Sequence, residues 1–236
     1  MTRKSIAFII ALFCIPEMQR TNAQVLISEI RIDQTGPDND EYFELSGAPG
    51  FSLDGLSYVV IGDGAGGSGV IEVAVDLTGL SLAPDGYWFA AESSFTLGPT
   101  PDLVTSLNFE NGDNFTHLLV SGFSGANNDD LDTDDNGVLD VIPWSGILDG
   151  VSLIMEPNPP TTSEYSYAAG LGYSVVGPDG AAVPGHVYRD DQGDWQIGPM
   201  DVAAGLDTPG TAVPEPSTWA LLGAGALAGL FWRRRK

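Results

Sequence analysis

Residues 56–77 read LSYVVIGDGAGGSGVIEVAVDL and hold the clearest secondary-structure pattern in this sequence. Leu56–Ile61 is apolar almost throughout, which is typical of a central β-strand. Val70–Leu77 alternates apolar and polar residues, as a strand with one buried face does. The glycine-rich segment Gly62–Gly69 between them predicts the loop of a β-hairpin. The stretch therefore predicts two adjacent antiparallel strands.

Strand patterns continue on both sides of this hairpin. They are short and separated by turns, in keeping with the 30 glycines and 16 prolines of the 236-residue chain. The further predicted strands are Val25–Asp33, Glu41–Ser46, Tyr87–Ala91, Phe115–Phe123, Val151–Met155, Tyr165–Val176, Gly185–Tyr188 and Trp195–Ile197. No window between the two ends has a convincing helical period. We therefore predict one large all-β domain with its own core.

The N-terminus has the pattern of a signal peptide. A short basic segment precedes the apolar stretch Ile6–Ile15, and a small-residue cleavage site ends at Ala23. We therefore expect residues 1–23 to be removed on export. The single cysteine, Cys14, lies inside this leader, so the exported protein is expected to use no disulfides.

The C-terminus combines three blocks in a fixed order. A proline-containing turn precedes Trp219–Trp232, which is apolar or small at every position, and a cluster of cations follows. As a helix these residues would span about 21 Å, short of the roughly 30 Å of a hydrocarbon core. We therefore expect a weak transmembrane anchor at about residues 217–232. Its basic end, residues 233–236, is expected on the cytoplasmic side.

This arrangement resembles the PEP-CTERM sorting signal of bacteria that make extracellular polymer matrices. The resemblance covers residues 214–236. It implies recognition by an exosortase-type membrane protease, a transient stay in the inner membrane, removal of the tail near Pro214, and release to the cell surface or matrix. The residues to which it assigns sorting and processing are Pro214, Glu215, Pro216, Arg233, Arg234 and Arg235. An ordinary single-pass anchor with a proline-rich stalk is the alternative interpretation.

The charge of the segment between the two ends is strongly one-sided. Residues 24–213 hold 30 of the 32 acidic residues but only two of the nine basic ones, Arg31 and Arg189, which gives a formal charge of −28. Nucleic-acid binding depends on phosphate contacts from lysine and arginine, so we expect no nucleic-acid partner. Divalent cations and cationic polymers are the partners that such a surface attracts.

Several stretches of the body resemble the lamin-tail domain in its bacterial extracellular form. The likeness rests on VLISEI at 25–30, DEYFEL at 40–45, LDGL at 53–56, LSLAPDGYWFAA at 80–91 and DTPG at 207–210. It implies an immunoglobulin-like β-sandwich with insertions at 93–114 and 156–185. Function does not follow from this likeness, because the domain serves as a binding or scaffolding module in many contexts.

These observations divide the chain into four parts. The predicted parts are a signal peptide at 1–23, a lamin-tail-like β-sandwich at 24–199, a linker at 200–213 and a sorting signal at 214–236.

One acidic segment, residues 127–140, reads NNDDLDTDDNGVLD and points to specific chemistry. Asp132–Gly137 fits the D-x-D-x-[DN]-G start of a calcium loop. Calcium prefers six to eight oxygen ligands, which alternate residues supply when the chain curls tightly at the glycine. The predicted ligands are the side chains of Asp132, Asp134, Asn136 and Asp140 and the backbone carbonyl of Val138. We expect Leu139 to anchor the loop in the core.

The loop departs from an EF-hand, because Pro143 occupies the position of the bidentate acid and no helix pattern flanks it. The missing ligand is left open among Asp129, Asp130 and Asp149. A solvated acidic loop without metal is the alternative. The regular spacing argues against it, and so does the mutual repulsion of the five aspartates within residues 129–135.

Other candidate site residues give weaker signals. His117 and His186 are far apart in the sequence and neither lies beside a second ligand at zinc spacing. No nucleophile elbow or catalytic triad motif is present, so we expect no enzyme. Trp88, Trp144 and Trp195 are predicted to lie in the core or at the sandwich edge, with a carbohydrate-binding platform as the alternative.

Together these features predict an exported structural or adhesive protein of the cell surface or extracellular matrix. Calcium is its predicted cofactor and is expected to stabilise the fold. Its expected partners are the exosortase-type protease, the membrane before processing, and extracellular polysaccharide or surface components. A carbohydrate- or protein-binding module is the main alternative. An accessory of an extracellular nuclease is a third hypothesis, and the chain has no room for that catalytic domain.

Overall fold

The structure is a computed structural model and describes residues 25–161 and 164–211. The predicted signal peptide at 1–23 and sorting signal at 214–236 lie outside the described residues. Apart from a short 3₁₀ turn at Val202–Ala204, the regular structure is entirely β, which confirms the predicted all-β class. The described residues include no helix that is long and apolar enough to cross a membrane.

Eleven strands are present in the described part of the chain. In chain order they are β1 (Leu26–Arg31), β2 (Tyr42–Ser46), β3 (Leu56–Gly64), β4 (Gly67–Asp76), β5 (Tyr87–Ala91), β6 (Leu103–Val104), β7 (Phe115–Ser121), β8 (Gly146–Leu153), β9 (Ser174–Val176), β10 (His186–Arg189) and β11 (Trp195–Ile197).

The strands form two mixed sheets. The first sheet has the spatial order β11-β10-β1-β2-β5-β6, and the second has the order β4-β3-β7-β8-β9. Neighbouring strands are antiparallel except for the parallel pairs β5–β6 and β8–β9. Each sheet therefore ends in a short parallel edge strand, and its other edge is antiparallel.

β3 and β4 form the predicted hairpin and pair along nearly their whole length. The observed turn is tighter than the predicted loop Gly62–Gly69, because β3 continues to Gly64 and β4 resumes at Gly67. Gly67 and Gly69 have φ of 111° and 89°, which a residue with a side chain rarely adopts. Glycine thus lets the two strands pair right up to the turn.

The predicted strand over Tyr165–Val176 forms only at its end, as β9. The amide of Tyr165 donates to Ser68 Oγ at 2.8 Å. The amide of Tyr167 donates to Thr116 Oγ1 at 2.9 Å. Because side chains of other strands satisfy these donors, the segment lies across the second sheet and does not extend it.

The main core lies between the two sheets. Phe43 on β2 and Tyr58 on β3 stack with ring centroids 3.6 Å apart, and Trp88 on β5 packs beside Phe43. All three side chains are buried. Burial of this apolar surface from both sheets is the main stabilising contribution, and it gives the molecule the arrangement of a β-sandwich.

Both outer faces are also covered, by long connections between strands. On the second sheet, Leu131 and Tyr167 pack over Val59 of β3 and Leu118 of β7 in a separate apolar cluster. On the first sheet, the segment after β5 packs Phe95 and Leu97 against Tyr42 and Phe89. The long connections therefore act as additional layers of the fold.

Residues 200–211, the described part of the predicted linker, pack against the first sheet. Arg31 on β1 is fully buried, and its Nε and Nη2 donate to the two carboxylate oxygens of Asp207 at 2.6 and 2.9 Å. Bidentate pairs of this kind are among the stronger side-chain contacts. This stretch, predicted as a linker, is thus held against the folded body.

Glu29, also on β1, makes the second half of this contact. Its carboxylate accepts hydrogen bonds from Thr208 Oγ1 at 2.8 Å and from Tyr42 OH at 2.5 Å. His186 Nε2 of β10 lies 2.7 Å from the same carboxylate. We call this buried group the C-terminal clasp, which consists of Glu29, Arg31, Tyr42, His186, Asp207 and Thr208.

Candidate cation site

The acidic segment runs along the free edge of β4. Ile71 of β4 donates its amide to the carbonyl of Asp129 at 2.9 Å and accepts from the amide of Asn128 at 2.7 Å. Further along, the amide of Leu131 donates to the carbonyl of Gly69 at 3.0 Å. These hydrogen bonds and the full burial of Leu131 fix the segment to the sheet immediately before the predicted calcium loop.

Asp132 organises the loop that follows. It is fully buried, and its carboxylate accepts from the amides of Asn136 at 3.1 Å and Gly137 at 2.8 Å. Tyr167 OH donates to the same carboxylate at 2.8 Å. Gly137 has φ of 83°, so the tight curl expected at this glycine is present.

Three of the predicted ligands come together. Carboxylate oxygens of Asp132, Asp134 and Asp140 all lie within 4.8 Å of one another. Calcium–oxygen distances are about 2.3–2.6 Å, so two ligands of one ion are separated by at most about 5 Å. Asp134 and Asp140 are exposed, which leaves the site open to ions from solvent.

The other two predicted ligands, Asn136 and Val138, lie in the same loop, and the role of the Val138 carbonyl stays a prediction. Asn136 Oδ1 accepts the amide of Val138 at 2.9 Å, so this oxygen already serves the loop backbone. The side chain of Val138 is 65% exposed. Leu139 packs against the outer apolar cluster of the second sheet, in keeping with its predicted role as the anchor of the loop.

Of the three residues considered for the missing ligand, Asp149 is not grouped with Asp132, Asp134 and Asp140 and is bonded to other parts of the fold. Its carboxylate accepts from Arg189 Nη2 at 2.9 and 3.0 Å and from the amide of Ile27 at 2.9 Å, which occupies both oxygens in a bridge between the sheets. Asp129 accepts from a nearby loop amide, and Asp130 accepts from the amide of Asp132 at 3.1 Å.

A second acidic group, which no sequence pattern predicts, lies beside the β3–β4 hairpin. Its carboxylates form two overlapping triads in which the oxygens lie within 4.8 Å of one another, Asp63–Asp113–Glu164 and Asp63–Glu72–Glu110. Burial, followed by the neighbouring Glu110, raises the pKa of Glu72 to about 8. These residues are distant in sequence and carry no spacing motif, so only the fold reveals them.

The hairpin turn joins the two acidic groups. The amide of Ser68 donates to Asp135 of the loop at 2.8 Å, and burial together with the charges of Asp113, Asp63 and Asp135 raises the pKa of Glu164. We call the combined set the acidic rim, which comprises Asp63, Glu72, Glu110, Asp113, Asp132, Asp134, Asp135, Asp140 and Glu164.

No arginine or lysine is available to the acidic rim from the described residues. The two arginines in this part of the chain are paired elsewhere, Arg31 with Asp207 and Arg189 with Asp149. The rim therefore concentrates negative charge without internal compensation, and it attracts cations from solution.

The two histidines occupy structural positions. Tyr58 OH lies 2.7 Å from His117 Nδ1, and burial lowers the pKa of His117 to about 3, so this ring is neutral at physiological pH. His186 lies beside Glu29 and Asp207, a grouping that the sequence spacing did not suggest. The carboxylates of that group are already bonded within the C-terminal clasp.

Two of the three tryptophans lie in the core, as predicted. Trp88 is 2% exposed and Trp144 is 9% exposed. Trp195 is partly buried at the end of the first sheet, and the guanidinium of Arg189 lies 4.4 Å from the centre of its ring. Among these three side chains, only Trp195 reaches the surface to any extent.

A known family matches the chain beyond the described residues. Residues 212–236 match the PEP-CTERM protein-sorting motif. This match confirms the predicted sorting signal, which includes Pro214, Glu215, Pro216 and the terminal arginines. It indicates that the protein is sorted for export by an exosortase-type system. No curated protein and no solved structure matches the chain.

Proposed function

We propose that the chain is a non-catalytic structural or adhesive protein of the cell surface or extracellular matrix, and that calcium bound at residues 132–140 stabilises its body. The sorting motif at residues 212–236 supports the export step. On this proposal an exosortase-type protease removes the tail near Pro214, after a transient stay in the inner membrane. Extracellular polysaccharide or surface components are the partners of the released body.

The observation that carries the calcium assignment is the convergence of Asp132, Asp134 and Asp140 within 4.8 Å. The buried member of the three is bonded to Tyr167, and the neighbouring Asp135 is bonded to Ser68. A cation on these carboxylates relieves their repulsion. It therefore stabilises the contacts among the loop, the hairpin and the segment after residue 163.

A lamin-tail type of immunoglobulin-like sandwich is our proposal for the body. The two mixed sheets, their shared core and the pairing of β1 with β2 support it.

The absence of an enzymatic role is likewise a proposal. It is supported by the engagement of His117 with Tyr58 and of His186 with Glu29, which leaves these two histidines in structural contacts.

Calcium binding is tested by thermal unfolding of the full-length chain in a detergent without a sugar headgroup, with either millimolar calcium or a chelator. At a calcium concentration about 100 times Kd we expect the midpoint to rise by about 5–10 °C. Asp134→Asn and Asp140→Asn are expected to abolish the rise. Asp191→Asn changes an exposed aspartate outside the acidic rim and is expected to retain it. Equal midpoints with calcium and chelator would refute the assignment.

The main alternative function is a binding module for carbohydrate or protein. One specific observation favours it, namely a groove beside Trp195 at the edge of both sheets. Binding that persists in chelator distinguishes this role from calcium-dependent bridging of polymers.

A further inference from the structure

A groove of about 610 Å³ lies where the edge strands β9 and β11 of the two sheets approach each other. Binding sites for small molecules typically have volumes of about 300–1,000 Å³. The groove is lined by Ser174, Val175, Val176, Gly177, Asp194, Trp195, Gln196 and Ile197. None of these residues belongs to the acidic rim or to the C-terminal clasp.

The backbone of β11 directs polar groups into this groove. The amide of Gly198 donates to the first residue of β10 at 2.8 Å, and the carbonyl of Asp194 accepts from the residue after β10 at 3.0 Å. Hydrogen-bonded pairs alternate along an antiparallel ladder. The amide and carbonyl groups of Trp195 and Ile197 therefore point away from β10, towards the open edge.

The backbone of β9 does the same from the other side. The carbonyl of Val176 accepts the amide of Ile154 at 2.9 Å, on the side of β8. Successive residues of a strand turn their backbone groups to opposite sides, so the amide and carbonyl of Val175 face the groove. Donors and acceptors thus alternate along both walls.

The spacing of the two strands leaves too little room for a complete extra strand where they come closest. Residues of β9 and β11 lie within 8 Å of each other, Cα to Cα. A strand inserted between them would need about 9.6 Å, twice the usual spacing. A ligand bound in this groove must therefore offer both donors and acceptors to the backbone groups of the two strands, as the hydroxyl groups of a sugar do.

The side chains of the groove fit the same chemistry. Ser174 and Gln196 are exposed polar residues, and Val175 and Ile197 are exposed aliphatic residues, 39% and 41% respectively. Gln196 Nε2 donates to Asp190 at 2.8 Å, so its amide is held in place by the turn between β10 and β11. Trp195 adds part of its indole, and its buried Nε1 donor has no acceptor among the described residues. Polar groups at the edges of a small apolar surface match the hydroxyls and the C–H face of a sugar ring.

The negative charge of the groove favours a neutral sugar over an acidic one. Among the described residues, Asp194 is the one charged side chain that lines the groove, and the arginine on the neighbouring strand, Arg189, already pairs with Asp149 and covers the ring of Trp195. An acidic sugar would be repelled by the carboxylate of Asp194. We propose that the groove between β9 and β11 binds a neutral oligosaccharide, a role that is independent of calcium at the acidic rim.

The test is isothermal titration of the full-length chain, in the same sugar-free detergent, with hexasaccharides of β-linked glucose, of β-linked N-acetylglucosamine and of acidic alginate. We expect at least one neutral hexasaccharide to bind, with unchanged affinity in chelator. Ser174→Ala removes one hydrogen bond to the ligand and should weaken binding about fivefold. Gln196→Ala should weaken binding to a similar extent, and it also removes the internal bond to Asp190. Gln192→Ala, an exposed glutamine of the same hairpin outside the groove, should leave affinity unchanged.

Three results would overturn the proposal: no heat from either neutral hexasaccharide at millimolar concentration, equal affinity in the groove variants and the parent chain, or binding confined to alginate. Loss of binding in chelator would also overturn it, because the site would then belong to the acidic rim. Because the groove variants change exposed side chains, thermal unfolding should show that they fold like the parent. Trp195→Phe keeps an aromatic ring and provides a further variant if truncation of a neighbour alters the edge.

Discussion

Asp132 is fully buried, and the proposed calcium site depends on its carboxylate. Its carboxylate accepts two amides of its own loop and the hydroxyl of Tyr167, so three donors compensate for its burial. The spacing motif is sufficient to predict this curl, because the loop contacts are local. The partner Tyr167 is 35 residues away, and no local pattern identifies it.

At the residue scale, Gly137→Ala is expected to destabilise the protein more than Gly79→Ala. Both glycines have nearly the same φ, 83° and 84°, so both substitutions carry the cost of a left-handed conformation, about 1–2 kcal/mol. A Cβ at Gly137 would lie 2.5 Å from Tyr165 Cδ1, whereas one at Gly79 meets nothing within 4 Å. We expect a total loss of about 2–5 kcal/mol at Gly137. Urea unfolding measures both, and equal losses would contradict the packing of the loop against Tyr165.

At the scale of elements, structure that depends on neighbouring residues was predictable from the sequence, and structure that depends on distant contacts was not. The β3–β4 hairpin was predictable because its strands are adjacent in sequence and have strong periodicity. The C-terminal clasp was not, because Thr208 and Glu29 are 179 residues apart and meet only when β1 lies between β2 and β10. A segment of small residues such as 200–211 has the composition of a linker, and its few polar anchors determine whether it folds.

Truncation tests the clasp as an element. A chain that ends after Leu206 lacks Asp207 and Thr208, and it leaves Arg31 buried without its carboxylate partner. We expect it to lose about 3–5 kcal/mol of unfolding free energy, or to fail to fold. A chain that ends after Thr211 retains these contacts and should match the full-length protein.

Chemical denaturation of both truncated chains, in chelator and in the same detergent, makes this comparison. If residues 200–211 acted as a linker, the two truncations would have equal stability. Hydrogen exchange at the amide of Thr208, which donates to Glu29 at 3.1 Å, gives an independent measure, and we expect this amide to be protected in the longer chain.

At the scale of the whole molecule, the balance of charge dominates. The body carries a formal charge of −28, and the acidic rim brings distant carboxylates into contact. Composition alone predicts an affinity for cations but not its location. The location follows from the fold, because the β3–β4 hairpin, the start of β7 and the loop before β8 meet at one end of the second sheet. Repulsion among these carboxylates lowers the stability of the folded body, and bound protons or cations reduce this cost.

This cost predicts that stability falls as pH rises from about 5 to 8. Burial raises the pKa of both Glu41 and Glu72 from 4.5 to about 8. Between these values the folded chain binds more protons than the unfolded chain. The stabilisation from these groups is therefore complete below pH 4.5 and is lost as pH approaches 8. In chelator, the urea midpoint should be higher at pH 5 than at pH 8. Glu72→Gln should reduce the fall, since an amide cannot ionise, whereas Asp191→Asn should reproduce the parent curve. A midpoint that rises over this interval would show that other groups outweigh the buried glutamates.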